Sequence, residues 1–117
     1  MSNIKHTVIT DFEIEGFHNY PNPPKQVDFL KHNHRHLFQI RVGYQVTDTN
    51  RELEIFIQQD MVRDYINDSY GVPANFNNMS CEMIALDILE FTKDDGSVFV
   101  EVFEDGKGGA RAEYDSK

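Results

Sequence analysis

Across residues 36–46 apolar and polar side chains alternate. Phe38, Ile40, Val42, Tyr44 and Val46 share one parity, and Leu37, Gln39, Arg41, Gly43 and Gln45 take the other. Successive side chains of a strand point to opposite faces, so the pattern predicts a half-buried strand. Residues 7–18 repeat it, with Val8, Thr10, Phe12, Ile14, Gly16 and His18 set against Asp11, Glu13 and Glu15. His18 is thereby placed on the apolar side, and a backward extension of the second strand puts His32, His34 and His36 on the face of Phe38. The Tyr20-Pro21-Asn22-Pro23-Pro24 run fixes φ and removes backbone donors, which predicts an ordered loop between the two strands.

After a turn at Thr47-Asp48-Thr49-Asn50, Leu53, Ile55 and Ile57 alternate with Glu52 and Glu54, predicting a short third strand. Met61, Val62, Tyr65 and Ile66 then fall at helical spacing over 58–66. A second helix starts at Ser80, a good N-cap, with Glu82 in its first turn and Cys81, Ile84, Ala85, Ile88 and Leu89 as its apolar stripe. Past the Asp94-Asp95-Gly96 turn, Val98, Val100 and Val102 alternate with Phe99, Glu101 and Phe103, and a last strand is expected over 110–114. Helices set between two pairs of strands predict an α+β layer fold rather than a parallel doubly wound sheet.

Chain length narrows this to one domain over 1–117, since 117 residues can bury a hydrophobic core without staples. The 20 acidic residues outnumber 11 Lys and Arg, and a net charge of -9 repels nucleic acid polymers and anionic membrane surfaces. Cys81 is the only cysteine, so neither an intrachain disulfide nor a cysteine-based zinc motif can form. No secretory leader or membrane-spanning run of roughly 20 apolar residues is read in the chain. A cytoplasmic setting is expected.

Two histidines one residue apart on a strand project side by side, and neutral imidazole suits zinc. His34 and His36 meet that condition, and His18 on the neighbouring strand is the natural third ligand, leaving a fourth tetrahedral position open. His32 could substitute, whereas His6 is incidental. Without a metal, the same residues would form a polar surface strip or hydrogen-bonded core side chains. A cupin site would require a carboxylate three or four residues after the pair, where Gln39 and Ile40 stand.

The motifs together resemble the tunnelling-fold enzymes that include 6-pyruvoyl-tetrahydropterin synthase and 6-carboxytetrahydropterin synthase. Phe12-Glu13-Ile14-Glu15-Gly16-Phe17-His18 is similar to the family's F-x-[FI]-x-A-x-H, and His34-Arg35-His36-Leu37-Phe38-Gln39-Ile40 to its H-G-H-x-[YF]-x-[VIL]. Ser80-Cys81-Glu82-Met83-Ile84-Ala85 resembles T-[SA]-E-[NV]-[LI]-A, and Val102-Phe103-Glu104-Asp105 resembles V-x-E-T. The resemblance implies zinc on His18, His34 and His36, with Glu104 gripping the guanidine-like edge of a pterin. It also implies an antiparallel sheet with the two helices packed on one face, and a homo-oligomer with ligand sites between subunits.

Each remaining candidate has a plainer role beside its functional one. Glu104 could be a solvated strand-end carboxylate, and Glu82 could serve the helix dipole alone. Gly106, Gly108 and Gly109 suit a hairpin, while Lys107 and Arg111 could offer donors to an anionic group. Catalysis is doubtful on this reading. The family's general base is a cysteine shortly before the histidine pair, assisted by an Asp-His pair, yet residues 27–31 hold no cysteine and every histidine precedes residue 37. Asp28 is a conceivable replacement base. The leading expectation is therefore a binding protein for a purine-, pterin- or nucleotide-like small molecule at an intersubunit pocket, one form of which sequesters a signalling nucleotide as a phage anti-defence protein would. The alternatives are a divergent zinc-dependent lyase or hydrolase and a structural protein with remnant histidines.

Overall fold

The computed structural model describes residues 3–114 and has a mixed α+β architecture. Strands β1 (His6–His18) and β2 (His34–Val46) are antiparallel over their whole length, from His6 opposite Val46 to His18 opposite His34. Helix α1 (Ile55–Tyr70), the two-residue strand β3 (Ala74–Asn75) and helix α2 (Cys81–Thr92) follow, then β4 (Ser97–Glu104) and β5 (Gly108–Glu113). The sheet order is β3-β1-β2-β4-β5. All pairs are antiparallel except β3 with β1, so the expected antiparallel sheet gains one short parallel edge that its sequence did not announce.

The parity read from the sequence sets the core. Phe12, Phe38, Ile40, Val42, Tyr44, Val100 and Val102 pack against Val62 and Ile66 of α1 and Ile84, Ala85, Ile88 and Leu89 of α2. Both helices therefore bury against the same sheet face. The other face carries a row of charges, Asp11, Arg41, Glu101 and Arg111, linked strand to strand by ion pairs. Gly43 is buried on that face because the Phe99 ring lies over it, and Arg111 in turn stacks 3.9 Å above Phe99.

The expected third strand at Leu53, Ile55 and Ile57 is not formed; helix α1 begins there. Glu54 accepts from the backbone N–H groups of Phe56 and Ile57 as the N-cap, and Glu52 accepts from those of Thr47 and Asp48. Both acids serve backbone donors, as helix starts and turns require. Ile55, Phe56 and Ile57 are exposed, so the alternation had no buried face to report. The second helix starts as expected, with Ser80 Oγ accepting from the Met83 N–H at 3.1 Å. The proline-rich loop leads into a 3-10 segment, Lys25–Lys31. Among the described residues no helix is long and apolar enough to cross a membrane.

Candidate metal centre

Antiparallel register brings the histidines together. His18 ends β1 directly opposite His34, the first residue of β2, and His36 is two residues further along the same face. One nitrogen from each of the three rings lies within 4.8 Å of the others. His18 is buried, and His34 and His36 are half-buried. His32 is exposed, stands outside this group and offers it a backbone carbonyl, while His6 sits at the opposite end of β1.

The outward ring nitrogens are all engaged by acceptors. His18 Nδ1 is 2.9 Å from the Met79 carbonyl, His34 Nδ1 is 2.9 Å from the His32 carbonyl, and His36 Nδ1 is 2.7 Å from Asp105 Oδ2. A carbonyl or carboxylate can only accept, so each neutral ring must carry its proton on Nδ1 and present the Nε2 lone pair inward. Three Nε2 lone pairs with their opposite nitrogens held by acceptors is the arrangement that imidazole metal ligands adopt. His36 Nε2 is buried and completes no hydrogen bond. The donor set therefore fits a divalent metal of the zinc type, one of several first-row ions that imidazole accepts.

Glu104, the last residue of β4, reaches the same point. Its Oε2 lies 3.0 Å from His18 Nε2, and its Oε1 lies 3.5 Å from His36 Nε2, an approach that makes no hydrogen bond. Contact with His18 lowers the Glu104 pKa, although burial pushes the other way. Burial tends to lower the His18 pKa, but hydrogen bonding to Glu104 and to the Met79 carbonyl outweighs it and raises the value overall. Cys81 Sγ is 3.4 Å from Glu104 Oε2, and burial with the nearby carboxylate pushes this thiol up to about 12. Cys81 is thus a neutral donor near pH 7, not a thiolate base.

The centre borders a cavity of ≈ 610 Å³, which His36 does not line. His18, His34, Glu104 and Cys81 line it beside the start of α2, and Tyr20, Leu30 and Met79 supply apolar walls. Backbone bonds from Asn19 to Asn77 and from Tyr20 to Leu30, each 2.8 Å, hold the loop that closes one side.

The sequence-derived candidates divide as follows. His18, His34, His36 and Glu104 come together, and Glu82 lines the cavity from the first turn of α2. Lys107 is exposed in the β4–β5 turn, where its backbone N–H bonds the Glu104 carbonyl at 3.0 Å, and it does not line the cavity. Arg111 lies on the open sheet face, paired with Glu101 and Glu113, and also does not line it. Asp28 is exposed, pairs with Lys31 at 3.2 Å and stands outside the cavity lining. Sequence reasoning weighed His32 only as a substitute ligand and did not assign the ring-orienting roles of Met79, His32 and Asp105. The first two act through backbone carbonyls that carry no sequence signal, whereas Asp105 could have been found because it adjoins Glu104.

No family model matches the chain, and no curated protein matches it.

Proposed function

We propose that this chain is a zinc-associated binding protein of the tunnelling-fold type, holding a purine-, pterin- or nucleotide-like small molecule in the cavity above His18, His34 and His36. The observation that carries the reading is the convergence of one ring nitrogen from each of three histidines, each ring held at Nδ1 by an acceptor, beside a cavity of ≈ 610 Å³ that His18 and His34 line. Volumes of this size take small organic ligands. The order of two long strands, two helices on one sheet face and two further strands supports the tunnelling fold.

The cavity's charge narrows the ligand. Glu82 and Glu104 line it, and no Lys or Arg does so among the described residues. Such walls favour a heterocycle presenting N–H and NH₂ donors over one presenting phosphates. The phosphates of a nucleotide signal sequestered in the phage anti-defence manner would lie outside this lining, toward a neighbouring copy. Gly108 and Gly109 of β5 line the cavity, and β5 is an edge strand of the sheet, which supports a homo-oligomer with the ligand between subunits.

Binding is favoured over turnover because burial and the Glu104 carboxylate keep the thiol in the cavity protonated and Asp28 does not line it. The alternative is a zinc-dependent lyase or hydrolase acting on a pterin-like precursor. Native mass spectrometry of the full chain, followed by calorimetric titration with free pterin, guanine and guanosine, tests both. Retained zinc, an assembled mass and saturable binding without product are expected. A chain that retains no zinc and binds none of the three compounds would sink the proposal, and multiple product equivalents would replace it with the enzyme.

A further inference from the structure

We infer that Glu104 is a fourth protein ligand of the metal centre, so that the site is closed by three imidazoles and one carboxylate. The inference rests on the metal centre proposed above and assigns Glu104 to the metal rather than to the ligand's edge. Glu104 and Asp105 are consecutive and flank His36 on opposite ring nitrogens, Asp105 at Nδ1 and Glu104 toward Nε2. With Nδ1 committed as a donor in each ring, the neutral Nε2 atoms carry lone pairs, and so do both carboxylate oxygens. With both rings neutral, acceptors face acceptors at 3.0 and 3.5 Å, and one cation held by all of them would satisfy both approaches at once. One proton on His18 would satisfy only one of the two approaches and leave His36 Nε2 without a partner.

Distances point the same way. With zinc bonds of about 2.0–2.1 Å to nitrogen and oxygen, ligand atoms of a tetrahedral site stand about 3.3 Å apart. The two Glu104 approaches bracket that separation. Both carboxylate oxygens are directed at histidines, and the Cys81 thiol braces one of them from the start of α2. Four protein ligands are the mark of a structural zinc site, since a catalytic one keeps a position open for water or substrate. Closure by Glu104 thus explains why a site of this kind would bind a heterocycle without processing it, and leaves Glu82 as the cavity's carboxylate for the ligand.

Cobalt(II), added alone to the metal-free full chain, is the probe. The expected wild-type complex shows intense visible bands of a four-coordinate ion, and azide leaves them unchanged because no exchangeable position exists. Glu104→Gln is expected to bind cobalt at least about ten-fold more weakly, with bands that shift on adding azide, and Glu104→Asp should recover part of the affinity. Azide-sensitive bands in the wild type, or wild-type affinity in Glu104→Gln, would overturn the fourth-ligand assignment while leaving the histidine centre standing. Absence of cobalt uptake by the wild type would overturn both. The azide response of the wild type decides the matter even if Glu104→Gln fails to fold.

Discussion

Asp105 satisfies two donors at once: Oδ1 accepts the Leu37 N–H at 2.9 Å and Oδ2 faces His36 Nδ1 at 2.7 Å. The Leu37 N–H and then the His36 contact hold its carboxyl below the usual range. Asparagine is nearly isosteric and tolerates the φ of 54° at this position, but only one of its head atoms accepts. With that oxygen on Leu37, the amide donates to Nδ1 and drives the ring proton onto Nε2. Asp105→Asn is therefore expected to weaken zinc binding about 10–100-fold, measured by competition with a chromophoric chelator; unchanged affinity would remove Asp105 from the centre. Tyr44 offers a contrasting case, fully buried with its hydroxyl lacking a hydrogen-bond partner among the described residues. Burial, with the Asp95 charge, pushes its pKa up to about 12. An unfolded tyrosine ionises near about pH 10, so the folded state binds more protons than the unfolded one between the two values. The Tyr44 contribution to stability is present below about pH 10 and lost as pH rises toward about 12. Tyr44→Phe should gain about 1 kcal/mol at neutral pH and flatten the alkaline loss seen in urea titrations. Some loss remains, because Tyr65 and Tyr70 are also raised, by burial and by their bonds to Asp87. A destabilised Tyr44→Phe would mean that the hydroxyl is satisfied in solution.

At the scale of elements, the β4–β5 hairpin couples the fold to the centre. Gly109 lies opposite Phe103, and a Cβ there would run into the Val102 carbonyl oxygen and come within 2.6 Å of the Phe103 Cα. These are backbone atoms, so no rotamer change relieves the clash, and strand β5 must move. Gly109→Ala is expected to cost about 1–3 kcal/mol in denaturant unfolding. It should also weaken metal binding, because Glu104 and its opposite residue Gly108 sit in the same hairpin. Loss of stability with unaltered metal affinity would separate the hairpin from the site. The same strands show what a sequence can reveal. Period-two alternation exposed β1, β2 and β4 because one face of each is packed under helices, and it gave the parity that placed His18, His34 and His36 together. It failed at Leu53, Ile55 and Ile57 because alternation is meaningful only where one parity is buried, and capping by Glu54 settled the local contest for helix. The two-residue β3 was invisible because its pairing depends on α1 delivering Ala74 beside Gly16.

For the molecule as a whole, the centre joins three adjacent strands at one end of the sheet: His18 from β1, His34 and His36 from β2, and Glu104 from β4. A ligand that binds only the folded state stabilises it by mass action, about 4 kcal/mol at a thousand-fold excess over Kd. For a domain of this size that corresponds to a rise in Tm on the order of 10–20 °C. Zinc added to metal-free wild type is expected to produce such a rise, a chelator to reverse it, and His34→Ala to abolish it. Because imidazole must shed its proton to bind metal, the rise should shrink as pH falls, and the raised His18 value strengthens that competition. The geometry separates this effect from surface binding. The chain carries a net charge of -9 with many exposed carboxylates, so weak zinc binding elsewhere is expected, but among the described residues the group of three or more potential ligands brought together is His18, His34 and His36. Only a metal held across β1, β2 and β4 must be released when the sheet opens. A rise that persists in His34→Ala would therefore assign the stabilisation to surface carboxylates and take the metal away from the three histidines.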